Sequence, residues 1–273
     1  TIWLKITNDR HSCLKAACPN RAECPFYLAR ETLETVDVVV ANHDLLLADI
    51  SMGGGVILPE PENSFYCIDE AHHLPKKALN QFAAEHSWNT AVWTLEKLPA
   101  LTDRIAALTE KAELANLADE AATALLESLH EWQFRLADEP DLGPSENNES
   151  VWLWQDGKIP ETLELLVSNT AIAARSLLKH IYGLNDALSA ARRDKEQNSA
   201  QIDRLSSEVG LCVARTEQSS AVWDLISTVP PEGSEPLAKW VSRLIIDKND
   251  YVFHASPISS AAYLSGKLWR RAA

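Results

Sequence analysis

The chain has 273 residues, of which 46% are hydrophobic and 23% charged, with a formal net charge of −14. This length suits one large domain or two, and the composition is typical of a globular protein with a buried core. The acidic balance argues against a broad nucleic-acid-binding face. We expect neither a membrane span nor a signal peptide. Five cysteines, three of them near one end, do not resemble a secreted disulfide framework, so a reducing, cytoplasmic setting is expected.

The charge is unevenly distributed along the chain. Residues 1–30 hold five basic and two acidic side chains, a net charge of +3, which leaves −17 for the remainder. We therefore expect one small basic patch on an otherwise acidic body, available for contact with phosphates. Its basic members are Lys5, Arg10, Lys15, Arg21 and Arg30.

Three cysteines are clustered near the start of the chain. Cys13, Cys18 and Cys24 are separated by four and then five residues. Structural zinc sites usually start from cysteine pairs two to four residues apart. Iron–sulfur clusters accept looser spacings, and a proline often follows a ligand, as Pro25 follows Cys24. The pattern favours an iron–sulfur cluster and leaves a zinc site, or three unrelated loop cysteines, as alternatives.

A cubane cluster needs four ligands, and this segment offers three. Cys67 is expected inside a buried strand and Cys212 inside a later helix, where both would act as small apolar core residues. The chain opens in mid-pattern, so we expect it to be an excised piece of a longer protein. The fourth ligand is then expected upstream of Thr1.

A first buried strand is predicted at residues 36–43, after a helix at residues 26–35. The strand residues are mostly β-branched and apolar. Asn42 and His43 end the strand, on the same side of the sheet as the acids of the next strand. His43 could pair with those acids or simply cap the following turn, and the sequence does not separate the two.

The second predicted strand is the most informative stretch. An apolar run starting at Phe65 ends in Asp69 and Glu70, which are followed by an alanine, His72 and His73. Acids at the carboxyl end of a buried strand lie where open α/β sheets bind ligands. In nucleoside triphosphatases an Asp at this place holds Mg²⁺, and a neighbouring carboxylate can deprotonate the attacking water. His72 could sense the γ-phosphate. The alternative is that both acids merely cap and charge the next helix.

Other features of a nucleotide site are missing from the sequence. Residues 51–55 are glycine-rich but lack the Gly-Lys-Ser/Thr ending of a phosphate loop. Residues 59–63 form a turn-rich loop, and no Walker A sequence occurs. A nucleotide site in this chain is therefore expected to be half complete.

Residues 76–139 are predicted to be mostly helical, with a loop at residues 139–150. The apolar face of the best helical segment consists of Leu125, Leu129, Trp132 and Leu136.

Two blocks of heptad periodicity follow, and they predict two long antiparallel helices folded back at about residues 195–199. Gly183 and Gly210 each cost about 1 kcal/mol in a helix interior. The first seam is Leu163, Val167, Thr170, Ala174, Leu177, Ile181, Leu184, Leu188 and Ala191. The second seam is Ile202, Leu205, Val209, Cys212, Thr216, Ser219, Trp223 and Ile226.

The last part of the chain changes character. Pro230 and Pro231 end the second long helix. Two strands are predicted at residues 239–246 and 250–255, about a polar turn, and a helix at residues 258–271.

This order of features resembles the iron–sulfur helicases of superfamily 2, the XPD/DinG group. The specific part of the resemblance is residues 10–75, with the cysteines, the strand ending in Ala-Asn-His and the strand ending in Asp-Glu-Ala-His. The resemblance implies an α/β plus α fold: a partial RecA-like motor domain with an iron–sulfur segment and a helical arch insertion. In that group these parts enclose single-stranded DNA during 5′-to-3′ unwinding driven by ATP.

The resemblance also implies roles for individual residues. Cys13, Cys18 and Cys24 would be three ligands of a 4Fe–4S cluster. Asp69 would bind the Mg²⁺ of Mg–ATP, Glu70 would activate water, and His72 would couple hydrolysis to movement.

The implied segments are residues 1–35 for the cluster, 36–84 for the motor domain, 85–238 for the arch and 239–273 for a hairpin returning to the motor. The implied partners are single-stranded DNA, forks or DNA/RNA hybrids, for a monomer with no membrane contact. The Walker A loop, one cysteine and the second motor domain with its arginine finger are missing, so this chain alone is expected neither to hydrolyse ATP nor to unwind DNA. The alternative is a non-enzymatic metal-binding module whose helical hairpin docks a partner protein.

Overall fold

The computed structural model describes residues 13, 18–33, 35–143, 149–194, 199–231, 233, 235–244 and 250–273. They divide into two compact units. The bundle unit comprises the described residues of Ala84–Val229 and Lys239–Ala255, together with Cys13. The small unit comprises the described residues of Lys15–Ala83, Pro230–Ala238 and Ser256–Ala273.

Helices make up most of the bundle unit and alternate with irregular segments in the small unit. The α-helices of the described residues are α1 (Pro25–Thr32), α2 (His43–Ser51), α3 (Leu74–Phe82), α4 (Trp88–Thr109), α5 (Ala112–Ala137), α6 (Glu164–Asp194), α7 (Ser199–Ser227) and α8 (Ala261–Leu264). The strands are β1 (Ala84–Ser87), β2 (Glu149–Leu153), β3 (Leu237–Leu244) and β4 (Asp250–Pro257). No helix among them combines the length and apolar character that crossing a membrane requires.

The two predicted long helices are observed as α6 and α7. Every predicted seam position is buried except Ala191 and Cys212, which are half-buried. Ion pairs join Arg175 to Asp224 and Arg192 to Asp203, so the two helices run antiparallel. The heptad pattern is therefore confirmed, whereas the predicted fold-back at residues 195–198 lies outside the described residues.

Gly183 has a packing role in α6. A Cβ atom at this position would lie 3.2 Å from the side chain of Leu114 on α5. The absence of a side chain lets the two helices approach closely here, which offsets part of the cost of a glycine in a helix interior.

The bundle unit also contains a four-stranded sheet in the order β1-β4-β3-β2. β1 pairs antiparallel with β4, and β2 pairs antiparallel with β3. The strands predicted at residues 239–246 and 250–255 are confirmed as β3 and β4 as far as they are described; residues 245–249, which include the predicted polar turn, lie outside the described residues. Neither β1 nor β2 was predicted.

A cluster of aromatic rings joins the sheet to the helices in the core of the bundle unit. Trp132 of α5 lies with its ring centroid 5.4 Å from that of Trp223 on α7 and 5.2 Å from that of Phe253 on β4. Its indole N–H donates to the hydroxyl of Thr170 at 3.0 Å. The helix face predicted around Trp132 is confirmed as buried.

Lys239 of β3 fastens the sheet to the end of α7. Its side chain is buried, and Nζ donates to the carbonyl oxygens of Ile226 at 2.7 Å and of Thr228 at 2.8 Å. These carbonyls belong to the helix C-terminus, where a cation is favourable. Burial lowers the pKa of the ammonium group.

The small unit differs from the prediction of a motor-domain sheet. Residues 36–42 and 64–68 take no regular secondary structure, and no strand of the described small unit pairs with them. Val40 is 95% exposed and Phe65 is 90% exposed. A strand of a parallel sheet is held by hydrogen bonds to its neighbours and covered on both faces, and here neither condition is met. The prediction of two buried strands was therefore wrong for this chain.

In residues 64–68, half-buried and exposed side chains still alternate as they would in a strand. Tyr66 and Ile68 are half-buried against the small clusters formed by α2, α3 and residues near α8, whereas Phe65 and Cys67 face outward. Cys67 is thus exposed rather than buried in a core, which corrects the prediction for this residue.

The glycine-rich stretch after α2 wraps around a carboxylate of its own chain. Asp49 is 2% exposed, and its carboxylate accepts the backbone N–H groups of Gly55 and Val56 at 2.9 Å and of Ile57 at 2.5 Å. Gly55 has φ of +83°, which a glycine adopts readily. The amides that would cradle a phosphate in a phosphate loop are occupied here by Asp49.

The helix predicted at residues 258–271 is partly confirmed. α8 is followed by a π-helical turn at Ser265–Trp269. Arg271 then donates to the carboxylate of Glu62, which ties the chain end to the loop at residues 59–63 and lowers the pKa of Glu62.

Candidate functional site

The acidic pair follows the irregular segment at residues 64–68 and lies on the surface of the small unit. Asp69 and Glu70 are both exposed. The carboxylate of Asp69 accepts the backbone N–H of Glu70 at 2.8 Å. Glu70 has φ of 48° and ψ of 41°, a left-handed conformation that is uncommon for a residue with a side chain. Such backbone strain is concentrated at functional sites.

A short 3₁₀ turn, Ala71–His73, separates the acids from α3. Glu70 stands at the N-cap position of this turn but makes no side-chain capping hydrogen bond. α3 starts with Pro75 in its first turn, and its N-cap residue, His73, makes no side-chain capping bond either. Among the described contacts, the carboxylate of Glu70 therefore does not cap the amides of the 3₁₀ turn.

The two histidines lie against the acid. Nδ1 of His72 is 3.2 Å from Oε2 of Glu70, and both side chains are about two-thirds exposed. The ring centroids of His72 and His73 are 4.0 Å apart. The ligand atoms of Glu70, His72 and His73 all lie within 4.8 Å of one another. These residues are adjacent in the sequence, and the left-handed backbone of Glu70 and the 3₁₀ turn accompany their convergence in space.

His43 contacts the motif from α2. Its Nε2 donates to the backbone carbonyl of Asp69 at 3.0 Å, because a carbonyl oxygen can only accept. The residue that caps α2 is Asn42, whose side chain accepts the N–H of Leu45 at 2.8 Å. The sequence left open whether His43 pairs with the acidic motif or caps the following turn. The structure shows that His43 contacts the motif and that Asn42 caps α2.

Helices α2 and α3 hold the motif in place. Leu47 of α2 packs with Leu74 and Ala78 of α3 in a small apolar cluster. On the surface, Nζ of Lys77 lies 2.7 Å from the carboxylate of Asp44. The Asp69–His73 turn is thus attached to α3 in sequence and to α2 through His43.

Cys13, Cys18 and Cys24 are half-buried. Cys24 is the N-cap residue of α1, with Pro25 directly after it. Among the residues that the structure describes, no group of three metal-ligating atoms that includes a cysteine converges within 4.8 Å. Thiols remain suitable ligands for an iron–sulfur cluster by their chemistry.

Cys212 lies half-buried on α7 against the core of the bundle unit, as predicted. Burial raises the pKa of its thiol to about 11, which suits a packing role rather than a ligand role.

Only part of the predicted basic patch lies within the described residues. Lys5, Arg10 and Lys15 lie outside them. The guanidinium of Arg21 lies 4.1 Å from the ring centroid of Tyr27, and Arg30 donates to the carbonyl of Val56. Both described arginines therefore have intramolecular partners.

A cavity of about 340 Å³ in the bundle unit was not foreseen from the sequence. His86 lies in its wall, 5% exposed, with Nε2 at 3.4 Å from the hydroxyl of Ser219. Burial lowers the pKa of His86 to about 4. His254 also lines the cavity, with Nε2 at 2.9 Å from the hydroxyl of Ser242, and burial lowers its pKa. These residues come from β1, β3, β4 and α7, so no local pattern could have joined them.

Comparison with known proteins relates the chain to one group of enzymes. Residues 10–98 match the DEAD_2 family model. The whole chain is 34% identical over 275 residues to the ATP-dependent DNA helicase DinG of Photobacterium profundum, and covers 39% of that protein. Proteins of the same name from Salmonella typhimurium and Escherichia coli strain K12 are each 27% identical over 98% of this chain, which covers 38% and 37% of their lengths.

The chain thus spans about two fifths of the length of the curated relatives it matches. The expected resemblance to the DinG helicases is confirmed by this similarity over the whole chain. Over its whole length the chain is similar to part of the DinG helicases, and residues 10–98 match the DEAD_2 model.

Proposed function

We propose that this chain is the part of an ATP-dependent DNA helicase that carries the Mg–ATP motif, three iron–sulfur ligands and a helical arch around single-stranded DNA. The observation that carries the proposal is the similarity over the full chain to proteins named ATP-dependent DNA helicase DinG. The three cysteines and the acidic motif all lie inside residues 10–98, the stretch matching DEAD_2.

In this proposal the acidic motif acts on ATP. The exposed carboxylate of Asp69 is a hard oxygen ligand, the type that Mg²⁺ prefers, and bound Mg²⁺ would neutralise charge on the phosphates. Glu70, free of any capping bond, would accept the proton of the attacking water. His72, 3.2 Å from Glu70, would respond to the state of that carboxylate and pass it to α3.

The exposed apolar segments support a role within a larger motor domain. Val38, Val40 and Phe65 face outward on the small unit, in the two stretches with strand-like sequence. Such segments gain stability when neighbouring strands pair with them and cover their faces. We infer that the rest of a RecA-like sheet pairs here and contributes the phosphate loop that this sequence lacks.

The cysteine segment would hold the cluster. Cys13, Cys18 and Cys24 supply thiolates, and a 4Fe–4S cluster would cross-link a short segment that has little apolar core of its own. The fourth ligand would come from sequence outside this chain or from Cys67, which is exposed.

The bundle unit would form the arch. Its antiparallel pair α6 and α7 is long and well packed, and the relatives match across this region as well. DNA forks and DNA/RNA hybrids are the substrates that we propose for the complete enzyme, with single-stranded DNA passing beside the arch.

Replacing Glu70 with Gln in the full-length protein tests the proposal. The variant keeps the shape of the side chain but loses the base, so we expect DNA-stimulated ATP hydrolysis to fall by about a thousandfold. Binding of a fluorescent ATP analogue should be retained. Glu31→Gln, at an exposed position on α1, is the matched control and should hydrolyse ATP normally. Unchanged hydrolysis in Glu70→Gln would show that the motif is only structural.

A further inference from the structure

His73 is the one member of the convergent group to which the proposed hydrolysis gives no task. Its ring lies 4.0 Å from that of His72, between centroids, and its ligand atom lies within 4.8 Å of those of Glu70 and His72. All three side chains are exposed, so a cation from solution can reach them without any rearrangement of the fold.

The local backbone explains the convergence. The backbone N–H of His73 donates to the carbonyl oxygen of Glu70 at 3.0 Å, which closes the turn and keeps these two residues close together. The left-handed conformation of Glu70 turns its carboxylate back toward His72, at 3.2 Å from Nδ1. The three ligand atoms therefore need only side-chain rotations to approach a common centre.

The donor set selects a class of cation. Two imidazole nitrogens and one carboxylate oxygen suit Zn²⁺ and similar borderline divalent ions, which take three protein ligands and leave a position open for water. Mg²⁺ prefers oxygen ligands alone. We propose that Glu70, His72 and His73 form a binding site for Zn²⁺-type cations, and that its occupation inhibits ATP hydrolysis by the enzyme.

The inhibitory part of this inference rests on the proposed function. A carboxylate oxygen of Glu70 that is bound to a divalent cation cannot accept a proton from water, because the cation withdraws its electron density. The same cation would hold His72 against Glu70 in every state of the nucleotide. Metal binding and hydrolysis therefore compete for one side chain.

The binding step can be measured on this chain alone. Co²⁺ serves as the probe, because its visible absorption reports coordination and thiolate ligands add a distinct near-ultraviolet band. Cys13, Cys18, Cys24 and Cys67 are replaced by Ser in the background chain, which removes the accessible thiols. We expect one Co²⁺ to bind per chain without the thiolate band, and Zn²⁺ to displace it.

His73→Gln in that background is the decisive variant. Loss of one of three ligands should weaken Co²⁺ binding by about 10-fold or more. His130→Gln, at an exposed position on α5, is the matched control and should bind as the background does. Equal affinity in His73→Gln and the background, or no Co²⁺ binding by the background chain, would overturn the site.

The full-length protein tests the consequence. Zn²⁺ should inhibit its ATP hydrolysis, and His73→Gln should raise the Zn²⁺ concentration needed for half inhibition by about 10-fold or more, with the inhibition of each protein expressed relative to its own hydrolysis without Zn²⁺. An enzyme that is active but equally sensitive to Zn²⁺ with and without His73 would overturn the inhibition. A full-length protein without any ATP hydrolysis would instead count against the proposed function and leave the Co²⁺ result standing.

Discussion

The two units of this protein differ in how completely each one buries its own apolar surface. In the bundle unit a single core connects α4, α5, α6 and α7 with β3 and β4. In the small unit the buried apolar residues form two separate clusters of four and three members, and strand-like residues such as Val40 remain exposed. The bundle unit is therefore built to stand alone, whereas the small unit gains from additional partners.

The proposed chemistry lies in the less self-sufficient unit. Asp69, Glu70, His72 and His73 sit on an exposed turn, supported mainly by α2 and α3. Regions with few buried contacts open more easily, and moving parts of enzymes are drawn from such regions. The bundle unit therefore contains the larger apolar core, and the small unit contains the residues of the proposed activity.

The largest expected effect is the loss of Trp132 in the bundle core. Trp132→Ala removes a fully buried ring that packs on Trp223 and Phe253, so we expect a loss of about 3–5 kcal/mol in the free energy of unfolding. Urea denaturation followed by circular dichroism measures it. Trp93→Ala, at a position 46% exposed, is the control and should cost much less. Similar losses in both variants would contradict a self-contained core.

The second effect is a loss of stability in acid that is specific to the bundle unit. The pKa of His86 is lowered from 6.5 to about 4 by burial, so the unfolded chain binds a proton there that the folded chain does not. The stability from the neutral ring is fully present above pH 6.5 and is lost as the pH falls toward 4, by at most about 3 kcal/mol.

Urea titrations between pH 7 and 4.5 on His86→Gln test this assignment. The variant should lose less stability on acidification than the parent chain, whereas His130→Gln, at an exposed position, should retain the parent's acid sensitivity. An identical pH dependence in the parent and in His86→Gln would refute the role of His86.

The smallest effect concerns the small unit. Asp49→Asn replaces one carboxylate oxygen with an NH2 group, which then faces either the N–H of Gly55 or those of Val56 and Ile57, so we expect a local loss of about 2 kcal/mol. Hydrogen exchange of those three amides should accelerate while the amides of α6 and α7 are unaffected. Asp44→Asn, in an exposed pair with Lys77, is the control. Acceleration throughout the bundle unit would contradict the separation of the two units.

The bundle helices were predictable from the sequence because their burial is decided within the chain. The seam residues of α6, such as Leu177 and Ile181, repeat over many turns and meet partners on α7 in the same sequence. A strand was likewise expected from Lys239, and residues 239–244 form most of β3. By contrast, β2 has half-buried Trp152 and buried Ser150 on one face, with Val151 and Leu153 exposed on the other, so its pattern does not mark the inner face.

The two strands predicted at the start of the chain are not observed, and the reason is physical. An apolar run such as the one at Phe65 indicates that its side chains are suited to burial. Burial of that run depends on neighbouring strands, which the described residues of this chain do not supply. At the site, the order of Asp69, Glu70 and His72 was readable from the sequence. The left-handed backbone at Glu70 was not, because this conformation is uncommon for a residue with a side chain and no local pattern in the sequence marks it.

Lys239 connects the sheet of the bundle unit to the end of α7. Because its ammonium group donates to the carbonyl oxygens of Ile226 and Thr228, at the end of α7, this end of the long helical hairpin is attached to β3. α6 has 31 residues and reaches about 46 Å from that end. Because α6 and α7 share one core with α4 and α5, a shift of β3 would act on the whole packed bundle and not on the hairpin alone.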